Sequence, residues 1–373
     1  MALVINEEQQ MLKSSAKEFL KERSPIAQLR RLRDMKDAIG YDKTLWTEMA
    51  NMGWVALNIP VAYGGLDFGY TGLGQVLEET GRTLTASPLV STVLLSATAI
   101  NLGGNLLQKE AILPYIAAGD LIIAFALEEG RHHHPTRIST TASGKKGGYL
   151  LNGKKVAVMD GHVADKLIVA ADTEDGVELF LVDGKTEGIT RERVISMDSR
   201  NYAFIQFDNV FVSESAKLAE YESGAALLER TLDIGRIGLA AEMLGGIQEA
   251  FDRTVAYLKE REQFGVKIGS FQALQHRAAH LFCEIELCKS IVIKALKAID
   301  DESDDLPRLA SLAKAKLGQT YQLVSNESIQ MFGGIGMTDE EEIGFFIKRA
   351  RVVQRLLGDS NYHLDRLGRR KGI

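Results

Sequence analysis

The chain has 373 residues, 45% hydrophobic and 25% charged with only 6 prolines, a composition that suits a soluble globular protein of two or three packed domains and excludes a collagen-like or disordered chain. A net charge of −6 gives no general attraction to nucleic acid or to an anionic membrane, so an anionic ligand must be held by local donors. The two cysteines, Cys283 and Cys288, share a helical stretch without metal-ligand spacing, which fits reduced cytosolic thiols rather than a disulfide or zinc framework.

The first segment, MALVINEEQQMLKSSAKEFLKER, reads as an amphipathic helix carrying acids. It lacks the basic start and apolar run of a secretory signal and the acid-poor composition of a transit peptide. No run reaches the roughly 20 apolar residues that span a bilayer. A cytoplasmic protein without membrane or nucleic-acid partners is expected. From about residue 5 to 120, apolar residues such as Met11, Leu12, Ala16 and Leu20 recur at helical spacing. Near residue 121 the pattern changes to short β-prone runs, LIIAFAL, YLLNG, KKVAVMDG, KLIVAA, VELFLVDG and AFIQFDNVFV, separated by NG, DG and GI turn signals. After Ser223 the helical period returns and holds nearly to the end. The reading is α+β: an all-helical domain over 1–120, an antiparallel β domain over 121–222, and a helical bundle over 223–373.

This order does not suit a Rossmann domain, which alternates strands with helices and places its glycines after the first strand. No Walker A motif occurs. Three adjacent imidazoles, His132, His133 and His134, cannot easily converge on one ion, so no metal site is expected. Glu128 and Glu129 beside them are potential acids or bases whose default reading is a solvated pair.

Four segments in order resemble the acyl-CoA dehydrogenase family across essentially the whole chain. IPVAYGGLDFGYTGLGQVLEETGR, residues 59–82, is similar to a "P..yGG.g" turn and a helix ending "eelGr". GYLLNGKKVAVMDGHVADKLIVAA, 148–171, resembles "Gy.lnG.K.wItna..Ad...v.a", and YLKEREQFGVKIGSFQALQHRAAHL, 257–281, resembles "Ya..R.qFG.pi..fQ.vq..lAdm". IQMFGGIGMTDE, 329–340, is similar to "q..GG.Gyt.e". The resemblance implies helical, β and four-helix-bundle domains, assembly as a tetramer, FAD, and α,β-dehydrogenation of an acyl-CoA thioester. In that reaction a carboxylate takes the α-proton and the flavin takes the β-hydride. It implies an electron-transfer flavoprotein or similar acceptor as a further partner.

Carried over residue by residue, the resemblance makes Arg261, Gln263 and Phe264 contacts to the FAD pyrophosphate of a neighbouring subunit, a role that suits a guanidinium fork. Gln330, Gly333 and Gly334 lie beside the adenosine and pyrophosphate of the same FAD. In LDIGR, Asp233 and Arg236 match the acidic and arginine positions of the helix lining the thioester pocket.

The departures fall on the other half of the site. The flavin-side loop "TEP..GSD" reads LEEGRHHHP, with Leu127 in place of a hydroxyl donor, while Ala157 replaces an aromatic beside the ring and Met159 a threonine. The glutamate of "YEGt" is Leu357, followed by Gly358 and Asp359, and the family's alternative base position is Gly235. Asp359 is the one nearby carboxylate, as a base after a rearranged loop or as the N-cap of the helix that follows. The expected protein is an acyl-CoA dehydrogenase subunit, either self-sufficient or a companion like the small subunits of pimeloyl-CoA-type and steroid side-chain dehydrogenases. A scaffold that has lost flavin is the alternative from another class.

Overall fold

The computed structural model describes residues 4–372, which fall into two compact units. One is helical and comprises residues up to 31, 70–85 and those from 236 onward; the other carries the sheet and comprises residues 32–69 and 86–235.

In the helical unit, α1 (Glu7–Arg23) begins at a reciprocal cap in which Asn6 accepts from Gln9 N and Gln9 accepts from Asn6 N. Its buried stripe is Ala16 and Leu20, whereas Met11 of the expected stripe is exposed. The helix Gly69–Arg82 packs on the long helix α7 (Gly224–Glu260) at backbone distance. A Cβ on Gly81 would lie 1.9 Å from the Glu242 carbonyl oxygen, and one on Gly245 would lie 1.7 Å from that of Glu78, so glycine is obligatory at both positions. Helices α8 (Gln272–Asp300), α10 (Ile343–Arg355) and α11 (Ser360–Arg370) all pack against α9 (Leu306–Phe332), whose Leu309, Ala313, Leu317, Tyr321 and Val324 are buried. An Arg349–Glu242 pair at 2.9 Å is sealed inside, each side chain 2% exposed.

In the other unit a seven-stranded sheet is built from β1 (Ile123–Ala126), β2 (Thr141–Lys145), β3 (Gly148–Met159), β4 (Lys166–Thr173), β5 (Gly176–Asp183), β6 (Ile189–Ile195) and β7 (Asn201–Ser213). Most pairings are antiparallel as expected, but β1 runs parallel to β4, because the chain makes a long excursion through β2 and β3 before returning beside β1. Asn152–Gly153, read as a turn, lies inside β3: Gly153 takes a φ of +150°, the register against β7 shifts there, and a Cβ would meet the Thr140 hydroxyl at 2.6 Å.

The free edge of β1 is covered by Leu89–Ala97, a buried stretch wound more widely than an α-helix. The Thr92 hydroxyl accepts from Ile123 N and donates to Ile123 O, and Ser96 donates to the same oxygen. Asn58 takes the Val93 carbonyl at 3.0 Å. These side-chain bonds satisfy edge and carbonyl groups that a regular helix would leave to water. No helix among the described residues is long and apolar enough to cross a membrane.

Candidate functional site

Helix α7 ends in a two-strand hairpin, Glu262–Gln263 against Val266–Lys267. Its turn residues, Phe264 and Gly265, take φ of +54° and +77°, both in the left-handed region that a tight hairpin demands. The turn holds Phe264 outward, 91% exposed, with Arg261 and Gln263 also exposed. Further along the chain, α9 closes on Gly333, whose φ is +69°. Tyr257 joins the two segments: its ring stacks on Phe332 at 4.3 Å and 15°, and its hydroxyl donates to the Phe332 carbonyl at 3.3 Å. The hairpin carrying Arg261, Gln263 and Phe264 is thereby tied to the turn carrying Gln330, Gly333 and Gly334. No atom lies within 4 Å of a Cβ placed on either glycine, so an incoming group can reach that backbone. An exposed guanidinium, an exposed amide and an open glycine backbone fit the diphosphate of a dinucleotide. Tyr257 lies in the quoted motif, but its role depends on Phe332, which sequence spacing does not bring near.

A second cluster surrounds the turn after α10. Leu357 and Gly358 take φ of +57° and +100°. The Leu357 carbonyl lies 3.2 Å from Arg236 Nε and 3.0 Å from His363 Nε2, and Arg236 is also 3.4 Å from the Tyr362 hydroxyl. Beneath the turn Lys314, wholly buried, donates to the carbonyls of Val353, Gln354 and Gly358, each at 3.0 Å. Burial, with Arg236 nearby, pushes its ammonium down to about 7 against the pull of Asp359. Asp359 is exposed and caps α11, accepting from Tyr362 N at 2.9 Å. Asp233, three residues before Arg236 in α7, is 1% exposed.

The loop after β1 forms the third cluster, in the sheet unit. The Leu127 side chain is buried in that unit's core. Glu128 and Glu129 are not a solvated pair. Glu129 lies 2.7 Å from Lys155, which is fully buried, and accepts from Ser139 N and Thr140 N at 2.5 and 2.8 Å. Burial would raise its carboxyl, but the bonds from Lys155, Thr140 and Ser139 overcome this and hold it at about 2; burial brings Lys155 down to about 8. Glu128 lies 2.6 Å from His133 Nδ1, and its carbonyl accepts from Val156 N at 2.7 Å. The loop is therefore laid along β3 beside a second register shift, between Lys155 and Val158, where Ala157 is exposed at a φ of +50° and Met159 is half-buried. Neither glutamate is left to meet a ring edge, and Leu127, Ala157 and Met159 offer it no polar side chain, so this half does not fit a flavin ring as the other half fits a diphosphate. Among the described residues no group of three or more His, Cys, Asp or Glu could hold a metal ion.

Three family models match the chain in order: the acyl-CoA dehydrogenase N-terminal domain over residues 6–120, the middle domain over 124–210 and the C-terminal domain over 222–372. A mitochondrial isovaleryl-CoA dehydrogenase of Pongo abelii is 30% identical over 382 residues, covering 98% of this chain and 89% of that protein. Among solved structures, a chain of a variant of the Tcur3481-Tcur3483 steroid ACAD is 31% identical with a TM-score of 0.89, covering 98% of both chains. Butyryl-CoA dehydrogenase from Megasphaera elsdenii is 27% identical with a TM-score of 0.90 over 100% of both. The chain belongs to the acyl-CoA dehydrogenase family, FAD-using oxidoreductases that act on CH–CH groups.

Proposed function

We propose that this chain is the companion subunit of a heteromeric acyl-CoA dehydrogenase, lending Arg261, Gln263, Phe264, Gln330, Gly333 and Gly334 to FAD seated mainly on a second, catalytically complete chain. The observation that carries this reading is the turn at Leu357. The position where the family's glutamate belongs is a leucine whose carbonyl is held by Arg236 and His363, and the carboxylate beside it, Asp359, is engaged as a helix cap. Leucine cannot accept a proton, and a carboxylate spent on a cap is badly placed to do so. The loop from Leu127 to Thr140 supports the same reading, since its acids are consumed by Lys155 and His133.

The likeness to a chain of the Tcur3481-Tcur3483 steroid ACAD agrees with a two-chain assembly. In this reading Asp233 and Arg236 serve an acyl-CoA pocket, the assembly is a tetramer containing a second acyl-CoA dehydrogenase chain, the electron acceptor is an electron-transfer flavoprotein or similar carrier, and the location is cytoplasmic. A scaffold without flavin is disfavoured by the hairpin, which keeps a guanidinium and an amide exposed beside an open glycine turn. The test is to purify the chain alone and with candidate partner chains, then measure bound flavin per chain and reduction of an acceptor by acyl-CoA esters. Full activity from this chain alone overturns the proposal.

A further inference from the structure

The histidine run is a sequence feature that the proposed function does not use. In the structure it divides. His133 turns inward, its side chain 4% exposed and its Nδ1 2.6 Å from Glu128, while His132 and His134 are not buried. Pro135 is buried, and a turn bond from Arg137 N to the His134 carbonyl at 3.0 Å folds the segment back, leaving Arg131 and Arg137 open to solvent as well. The loop contains two acids, and both are engaged: Glu128 with His133, Glu129 with Lys155 and the Ser139 and Thr140 amides. The accessible charge of residues 131–137 is therefore purely cationic or cationisable, in a chain whose net charge is −6. A local basic surface on an acidic protein selects a compact, multiply charged anion.

We infer that the segment Arg131–Arg137 is a phosphate-binding loop, with Arg131 and Arg137 as its principal donors and His133 as a positioning residue that keeps the Glu128 carboxylate off the binding surface. The chemistry selected is a phosphate monoester or diphosphate, because a guanidinium binds such oxygens in a fork. The nucleotide end of an acyl-CoA carries both groups. That assignment rests on the proposed function, which puts this loop beside an acyl-CoA; the cationic surface itself does not.

The experiment is calorimetric titration of adenosine 3′,5′-bisphosphate, and separately of inorganic phosphate, into the assembled complex. The variants are Arg131→Ala/Arg137→Ala, His133→Ala and Glu128→Gln/His133→Ala, with Lys145→Ala as a basic residue outside the loop. The double-arginine variant is expected to bind the bisphosphate roughly tenfold or more weakly, on the scale of one lost charge-assisted contact, and Lys145→Ala to bind as the parent does. His133→Ala, which releases a carboxylate onto the surface, weakens binding, and adding Glu128→Gln restores it; a merely structural histidine would not be rescued in this way. Circular dichroism confirms that the variants fold. Parent-like binding by the double-arginine variant overturns the site. Failure of Glu128→Gln to rescue overturns the role of His133. Bisphosphate binding no tighter than that of inorganic phosphate overturns the nucleotide assignment. None of these outcomes depends on flavin stoichiometry, which tests the companion reading separately.

Discussion

Arg236 Nε lies 3.2 Å from the carbonyl oxygen of Leu357, an oxygen that also receives His363 Nε2 at 3.0 Å. The backbone of Leu357 is left-handed at a φ of +57°, a conformation that costs a non-glycine residue about 1–2 kcal/mol. Two donors on the one carbonyl, with the three bonds of Lys314 to the flanking segment, hold the turn in that state. Gly358 completes it, since a Cβ there would lie 2.5 Å from the Tyr362 ring. A turn fixed at so many points does not readily rearrange to bring Asp359 inward.

The first prediction follows from that rigidity. In the assembled complex Asp359→Asn leaves turnover nearly unchanged, because asparagine caps a helix about as well as aspartate, whereas Asp359→Ala costs about 1 kcal/mol of stability without abolishing activity. If Asp359 were the base, both changes would lower turnover about a hundredfold or more. Steady-state rates and denaturant midpoints on the same preparations separate the two cases.

Arg261→Ala is expected to weaken flavin retention in the assembly by roughly ten- to hundredfold, the loss of a charge-assisted bond of about 1.5–3 kcal/mol. Tyr257→Leu acts on the same readout at a distance, because it removes the ring and hydroxyl that tie the hairpin to Phe332. Fluorescence of released flavin against dilution measures both. Unchanged retention in Arg261→Ala would remove that residue from the cofactor contact.

A third prediction concerns pH. Glu79 is 1% exposed, 3.5 Å from Arg82, and burial raises its carboxyl from 4.5 to about 7. Between those values the folded state binds more protons than the unfolded state, so this group lowers stability as pH rises from 4.5 to 7 and leaves the full loss above that range. Glu79→Gln removes this dependence and, at about pH 8, raises stability by up to about 3 kcal/mol, reduced by whatever attraction to Arg82 is lost. Urea midpoints across that pH range test it; parallel curves for parent and variant would refute the assignment.

The helix–strand–helix order is legible in the sequence because periodicity is a local property, and the R.qFG and GG.G segments are legible because their turns need particular residues at fixed spacing. What escapes depends on partners distant in sequence. Glu129 reads as solvated because nothing in its own segment points to Lys155, which lies against it from another strand. Asn152–Gly153 carries the strongest local turn signal, yet β3 continues through it as a bulge because β7 remains paired on both sides. The wide winding at Leu89–Ala97 has no signal in its apolar sequence; it accompanies bonds to β1 and Asn58.

The last prediction concerns stoichiometry and follows from the unequal halves of the cofactor site. The hairpin and glycine turn leave Arg261, Gln263 and the Gly333–Gly334 backbone exposed for a neighbour's diphosphate. On the sheet unit, by contrast, Leu127 is turned into the core, Ala157 offers only a methyl group at the bulge, Met159 offers a thioether, and both loop glutamates are already bonded. Each polar group of a buried ring left without a partner costs about 1–3 kcal/mol. Two such losses weaken binding by a factor of tens to tens of thousands. The chain purified alone is therefore expected to hold little FAD, and the complex with its partner about one FAD for every two chains, because only the partner supplies a complete ring half-site. Absorbance of bound flavin against protein concentration, measured on the chain alone and on the complex, decides the matter. A yellow homo-oligomer with one tightly bound FAD per subunit would mean that the bulge at Ala157 and the loop before it accept the ring after all, and the companion assignment would fall with that result.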